Sequence, residues 1–421
     1  MNAYLIFVLA VLVGFTLFDA WIHWLNLKAI APEIPDEFND LYDRDSYAKS
    51  QHYLKDSTGF GIIEGLIKTS VSIVFILLGG FAAVYRLTQT GAESHILSGL
   101  LFAGILILLS TLLGLPFKIY DTFVLEEKYG FNKTTPKTFV NDLFKSLLLT
   151  ALLGGPIFAG LLWFFYTAGN SAWWISWVLL TLIQLLLLYI APVYILPLFN
   201  KFDPLEQGEL RTAIERYAEK EGFEVRGLFT IDGSRRSTRA NAYFTGFGKT
   251  RRIALFDTLI ANHSTPELVA VLAHEVGHAK CRHIHKQLIA GTLGTGLMFF
   301  LLSLFIDRPG MYEAFGLEVS PDGLPLYAGL IFFGFLYSPI ASLIGIFTNV
   351  LSRKFEFEAD AFAARTTGSA EELITALKRL TVDNLGNLTP HPWLVFLEYS
   401  HPPVLRRIQA LRALPPSPQA S

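Results

Sequence analysis

Seven apolar runs, each long enough as a helix to cross a bilayer, constrain this chain more than any other feature. They cover residues 3–25, 62–87, 96–119, 139–166, 171–198, 288–306 and 326–350. Inside lipid every backbone polar group needs an internal partner, so unbroken runs of this length fold as helices. The expected fold is mainly α, a seven-helix transmembrane bundle. Composition agrees: 52% of residues are hydrophobic and 17% charged, where about a quarter charged is usual. The surplus apolar surface faces the lipid bilayer. The first run lacks a basic stretch ahead of it and a small-residue cleavage site, and reads as a retained span rather than a signal peptide.

A net charge of -2 excludes a nucleic-acid partner, and a single cysteine, Cys281, excludes an intrachain disulfide. No feature sets an oligomeric state. Basic residues gather after spans one, three, five and seven and are sparse in the other connections. The positive-inside rule then places the two large polar segments in the cytoplasm. Glu64 and Lys68 stand at i, i+4 in the second span, and Asp142 and Lys145 open the fourth. Such groups either face an aqueous interior or reach to the interface, and both readings stay open.

The chain divides into residues 1–199 with five spans, 200–290 with a polar segment, 291–350 with two spans, and a polar 351–421. The second part opens with a helical pattern over 204–221. Strand-like runs at 227–231, 241–244 and 252–256 follow, separated by DGS and GFGKT turns, which predicts a small antiparallel β-sheet. Ser264 or Thr265, Pro266 and Glu267 then mark a helix start. A Pro/Ser tail over 415–421 reads as disordered.

That helix carries HEVGH, with His274 and His278 one turn apart on one face. Glu275 lies about 100° round from His274, placed to take a proton from a water beside a shared metal ion. His283 falls about 180° from His274 on a continuous helix, and His285 about 10 Å along the axis from His278, so neither shares the ion. Both are expected at the membrane surface. Cys281 reads as a small buried hydrophobe. The third ligand must come from elsewhere. After span seven the chain reads SRKFEFEAD, where Glu356 and Asp360 share a face and Glu358 points away. Glu356 is the expected third ligand, and Asp360 is expected to accept the other ring N–H of a bound histidine. Two histidines, one glutamate and one open position suit a single catalytic Zn2+.

HEVGH, SRKFEFEAD and YSHPPVLRRIQAL, with EEKYGFNKTT at 126–135 and NAYFTGF at 241–247, resemble the integral-membrane CAAX prenyl protease 1 family of zinc metallopeptidases. The resemblance extends over nearly the whole chain. It implies seven long helices enclosing a water-filled chamber, capped near the cytoplasmic face by a gluzincin-type zinc peptidase domain. It implies zinc-dependent endopeptidase activity on a peptide or protein substrate, prenylated or membrane-associated; eukaryotic members remove three residues after a prenylated cysteine. It also implies His401 as a donor to the developing oxyanion and Arg407 as its support. The short C-terminus without a retrieval signal favours a bacterial inner-membrane member over one of the endoplasmic reticulum.

Asn241, Ala242 and Tyr243 read as an edge strand that pairs with an extended substrate. The basic loop GSRRSTR at 233–239 reads equally as a receptor for a substrate carboxylate or as a solvated loop. Other classes remain: a quality-control protease with broad substrates, a zinc transporter with ligands at mid-bilayer, or an inert scaffold.

Overall fold

The computed structural model describes residues 2–89, 94–225, 227–245, 252–318 and 323–415. The GFGKT turn and most of the Pro/Ser tail lie outside these residues. Seven helices are long and apolar enough to cross a membrane. They are α1 (Ala3–Lys28), α2 (Arg44–Leu77), α3 (His95–Lys128), α4 (Pro136–Thr167) and α5 (Gly169–Leu198), then α8 (His283–Phe305) and α9 (Leu326–Thr367). Between α5 and α8 lie α6 (Glu209–Lys220) and α7 (Thr265–Lys280), and after α9 come α10 (Glu371–Asp383) and α11 (Val404–Arg412).

Two spans outrun the bilayer. The 34 residues of α2 and the 42 of α9 make rods of about 50 and 60 Å. Asp43 caps α2 through a reciprocal box with Ser46, far before its apolar part begins. Gly368, in the left-handed region at φ 85°, ends α9. The second span closes earlier than its hydropathy indicates, at Leu77 rather than 87. Gly79 turns the chain at φ 72°, and a short amphipathic helix, Gly80–Gln89, takes up the remaining apolar residues.

The membrane helices share a buried core around Val8, Phe102, Leu162, Phe299 and Phe332, but their most apolar stretches lie largely outside it. In the most apolar window of each span at most 17% of residues are buried. A cavity of about 510 Å³ opens between α2, α3 and α4. Glu64 and Lys68 line it, paired at 2.5 Å, together with Lys118 and Asp121. Glu64 and Lys68 of the second span therefore face a cleft between helices that polar and apolar side chains share.

The polar segments, 200 residues apart at their extremes, share one buried core that runs from Ile214 through Leu268 and Ala273 to Leu373 and Ile408. Its sheet holds β1 (Phe202–Pro204), β2 (Gly227–Ile231), β3 (Ala242–Thr245) and β4 (Arg252–Phe256), in the order β1-β2-β4-β3. It is mixed, not antiparallel: β2 and β4 run parallel, with Gly227 opposite Arg252, while β1 and β3 pair antiparallel at the edges. The physical reason is the loop after β2. It leaves the sheet and returns as β3 at the far edge, so β4 inserts between them. Ile253, Ala254 and Leu255 of this central strand are all buried, as a strand covered on both faces requires. The helical pattern from 204 begins only at Glu209, because Pro204 belongs to β1.

The loop that leaves β2 is held by the membrane domain. Arg236 forms a two-pronged pair with Asp142 of α4 at 2.8 and 3.1 Å. Arg239 pairs with Glu126 at 2.9 Å and contacts Tyr53. Lys133 N–H donates to the Arg236 carbonyl, and Thr238 N–H to that of Phe131. Ser234 and Arg235 of GSRRSTR are exposed, while Arg236 and Arg239 are spent on clamping α4 and EEKYGFNKTT. Lys145 is also engaged, donating to the Leu198 carbonyl at 2.6 Å.

Candidate active site

The site is built on two helices pressed together. Ser264 and Glu267 form a reciprocal box that starts α7, with Pro266 in its first turn. Its buried stripe includes Leu268, Leu272, Ala273 and Val276. At Gly277 the helix meets α9: a Cβ there would stand 3.0 Å from Ala359 Cα and 3.1 Å from its carbonyl oxygen. The missing side chain lets the backbones approach, and this brings His274 and His278 against Glu356 and Asp360.

His274 Nε2 lies 3.4 Å from Glu356 Oε2, and His278 Nε2 lies 3.3 Å from Glu356 Oε1. The two Nε2 atoms are 3.1 Å apart. Asp360 Oδ1 sits 2.8 Å from His274 Nδ1. A carboxylate only accepts, so Nδ1 of His274 carries a proton, and Glu356 beside Nε2 favours a second one there while no metal is bound. Arg407, delivered by α11 and buried, donates Nε–H and Nη2–H to Asp360 at 2.8 and 2.6 Å, and its Nη1 lies 3.3 Å from Glu356. Burial pushes the His274 pKa down, but hydrogen bonds to Asp360 and Glu356 outweigh it and hold it up at about 9 with no metal bound.

His283 is not at the membrane surface. It is 1% exposed and stacks on Phe355 at 4.2 Å. Its Nε2 lies 2.9 Å from Glu358, and its Nδ1 lies 3.0 Å from His278 Nδ1. Glu358 therefore takes the Nε2 proton of His283, the bare Nδ1 of His283 accepts from His278, and His278 Nε2 is left unprotonated. The sequence reading missed this pair because it continued the helix. In fact α7 ends at Lys280 and Arg282 adopts φ 57°, which folds His283 back onto His278. Glu358 does point away from Glu356, and meets His283 there. Cys281 is half-buried, not buried, at this break. His285 is exposed at the start of α8.

Glu356 Oε2 is buried and makes no well-formed hydrogen bond, with Arg407 Nη1 at 3.3 Å and His274 Nε2 at 3.4 Å. The two imidazole Nε2 atoms and the Glu356 carboxylate thus converge on one point. A divalent cation in place of the His274 proton would be held by all three groups. These donor atoms lie within 4.8 Å of one another. The residues present fit a metal ion.

A cleft of about 200 Å³ opens over this point. Half-buried Glu275 lines it, with His401 and Arg407 on one side and Asn241 and Ala242 on another. His401 Nε2 lies 3.4 Å from Glu356 Oε1, and its Nδ1 meets the Ser400 hydroxyl at 2.9 Å. The backbone at Ala242 belongs to β3, an edge strand. The Tyr243 side chain lies outside the described part of the structure.

An integral-membrane metallopeptidase is the class that this bundle and this site define. The ligand-type residues stand on continuous helices beyond the apolar spans, which does not favour a transport reading. Comparison with known proteins gives the same class. Residues 23–201 match the family model described as CAAX prenyl protease N-terminal, five membrane helices, and residues 204–414 match Peptidase family M48. The CAAX prenyl protease 1 of Saccharomyces cerevisiae is 35% identical over 417 residues, 94% of this chain and 92% of that one. The human CAAX prenyl protease 1 homolog is 34% identical over 90% of this chain and 89% of its own length. The crystal structure of S. mikatae Ste24p superposes with a TM-score of 0.91, covering 98% of this chain and 99% of that one at 34% identity. The chain belongs to the CAAX prenyl protease 1 family and is a membrane-embedded metalloendopeptidase.

Proposed function

We propose that His274, His278 and Glu356 hold one zinc ion and that the chain cleaves extended peptides beside it. The observation that carries this reading is the convergence of the two imidazole Nε2 atoms with the Glu356 carboxylate. Zinc, when bound, supplies Lewis acidity toward the scissile carbonyl and an acidified water. The chain's own residues do the rest. Glu275 takes a proton from the attacking water and returns it to the leaving amine. His401, its Nδ1 turned to Ser400, offers Nε2–H to the developing oxyanion. Arg407 holds Asp360, and Asp360 holds His274. The outer edge of β3 at Asn241 and Ala242 pairs with the substrate backbone, with Tyr243 next along the strand.

The polar segments stand on the cytoplasmic side by the positive-inside rule. In a bacterium that is the inner membrane, and in a eukaryote the endoplasmic reticulum. The names of the relatives carry a CAAX prenyl substrate, and we propose the same class here. Its lipid-bearing end is accommodated by the helices and its peptide by the cleft.

The test pairs wild type with Glu275→Gln in detergent. The variant should keep its zinc and lose at least about a hundredfold in kcat on prenylated and unprenylated peptides. Undiminished cleavage by a zinc-loaded variant would refute the mechanism, and equal rates on the two peptide types would refute the substrate class.

A further inference from the structure

His263 lies between the short helix Asp257–Asn262 and the cap of α7, and is 8% exposed. Its Nδ1 is 3.2 Å from the Leu259 carbonyl oxygen. A carbonyl only accepts, so Nδ1 carries the proton and Nε2 is an acceptor. That Nε2 is buried and has no hydrogen-bond partner. Buried acceptors are rarely left so, and each exception calls for an explanation. Here the residue lines the catalytic cleft, on the side formed by Leu259, Val271, Leu373, Leu377 and Leu380. Val271 sits one turn ahead of Glu275 on α7. The mechanism above uses none of these side chains.

We propose that His263 is a specificity residue. The recess beside Glu275 takes a small substrate side chain with an apolar body and one hydrogen-bond donor, threonine being the model, and the donor satisfies Nε2. The leucines and Val271 accept the methyl group. Valine has the same shape and no donor. It leaves Nε2 as unpaired as in the free enzyme and lacks the bond that threonine adds, and a site built to hydrogen-bond a group discriminates against the isostere lacking it. This inference rests on the peptidase reading, since it needs a peptide in the cleft.

The test uses the full-length, zinc-loaded enzyme and pairs of peptides that differ only as threonine against valine, at each position flanking the cut. At one position the wild type should favour threonine by about tenfold in kcat/KM. His263→Phe should bring that ratio close to one, and His263→Gln, which retains an acceptor, should restore part of it. A wild-type ratio near one at every position overturns the proposal without any variant. So does a preference that survives in His263→Phe. Failure here is separate from failure of the peptidase reading: the ratio compares two substrates of one active enzyme, while that reading falls only if Glu275→Gln still cleaves.

Discussion

Replacing Gly277 by alanine tests whether helix approach sets the metal geometry. The added Cβ would lie 3.0 Å from Ala359 Cα, 3.1 Å from its carbonyl oxygen and 3.2 Å from Phe362 Cβ. Carbon pairs settle at about 3.5–4.0 Å, so α7 and α9 must part by roughly half an ångström. Overpacking of this kind costs about 1–3 kcal/mol, and alanine returns about 0.5–1 kcal/mol of helix propensity. The net loss expected is about 0.5–2 kcal/mol. The site should suffer more than the fold. Gly277 is one residue from His278, and Ala359 is three residues from Glu356, so the shift falls between the helix turns that carry the proposed ligands. Zinc bonds tolerate about 0.2 Å. Zinc affinity, measured by chelator competition in detergent, should drop at least about tenfold. Gly291→Ala on α8 is the control, because a Cβ there meets nothing within 4 Å. If Gly277→Ala binds zinc within threefold of wild type, close approach is not what assembles the site.

Glu358→Ala should weaken zinc binding about tenfold by releasing His283 and hence His278, whereas Glu358→Gln, whose amide oxygen still accepts from His283, should retain most of it; the same competition assay reads both. Arg407→Leu removes the guanidinium from Asp360, 2% exposed, and leaves that buried carboxylate with His274 Nδ1–H, and should cost about 3–5 kcal/mol in denaturant unfolding. Zinc must displace the proton that His274 holds up to about pH 9 in the metal-free protein. Apparent affinity should therefore fall close to tenfold per unit as pH drops from 8.5 to 6.5, and a flat profile would show that His274 loses no proton on binding.

What could be read from the sequence was whatever depends on neighbours along the chain. Long apolar runs dictate helices because lipid leaves the backbone no other partner. HEVGH and FEFEAD place their side chains by helical period alone, so His274, His278, Glu356 and Asp360 could be named before any fold was known. NAYF could be read as a strand next to the catalytic helix. Pairings between distant segments were beyond that reach. Nothing local says that β2 and β4 run parallel, or that Arg236 and Arg239 are spent on Asp142 and Glu126. The turn at Arg282 has no glycine to announce it, and a one-residue left-handed kink carried His283 from the far side of a helix to the back of His278. The orphaned acceptor on His263 is likewise a property of what surrounds it. Periodicity fixes direction around one axis, while contact across axes is decided by how closely helices pack, and here that distance is set by the absent side chain of Gly277.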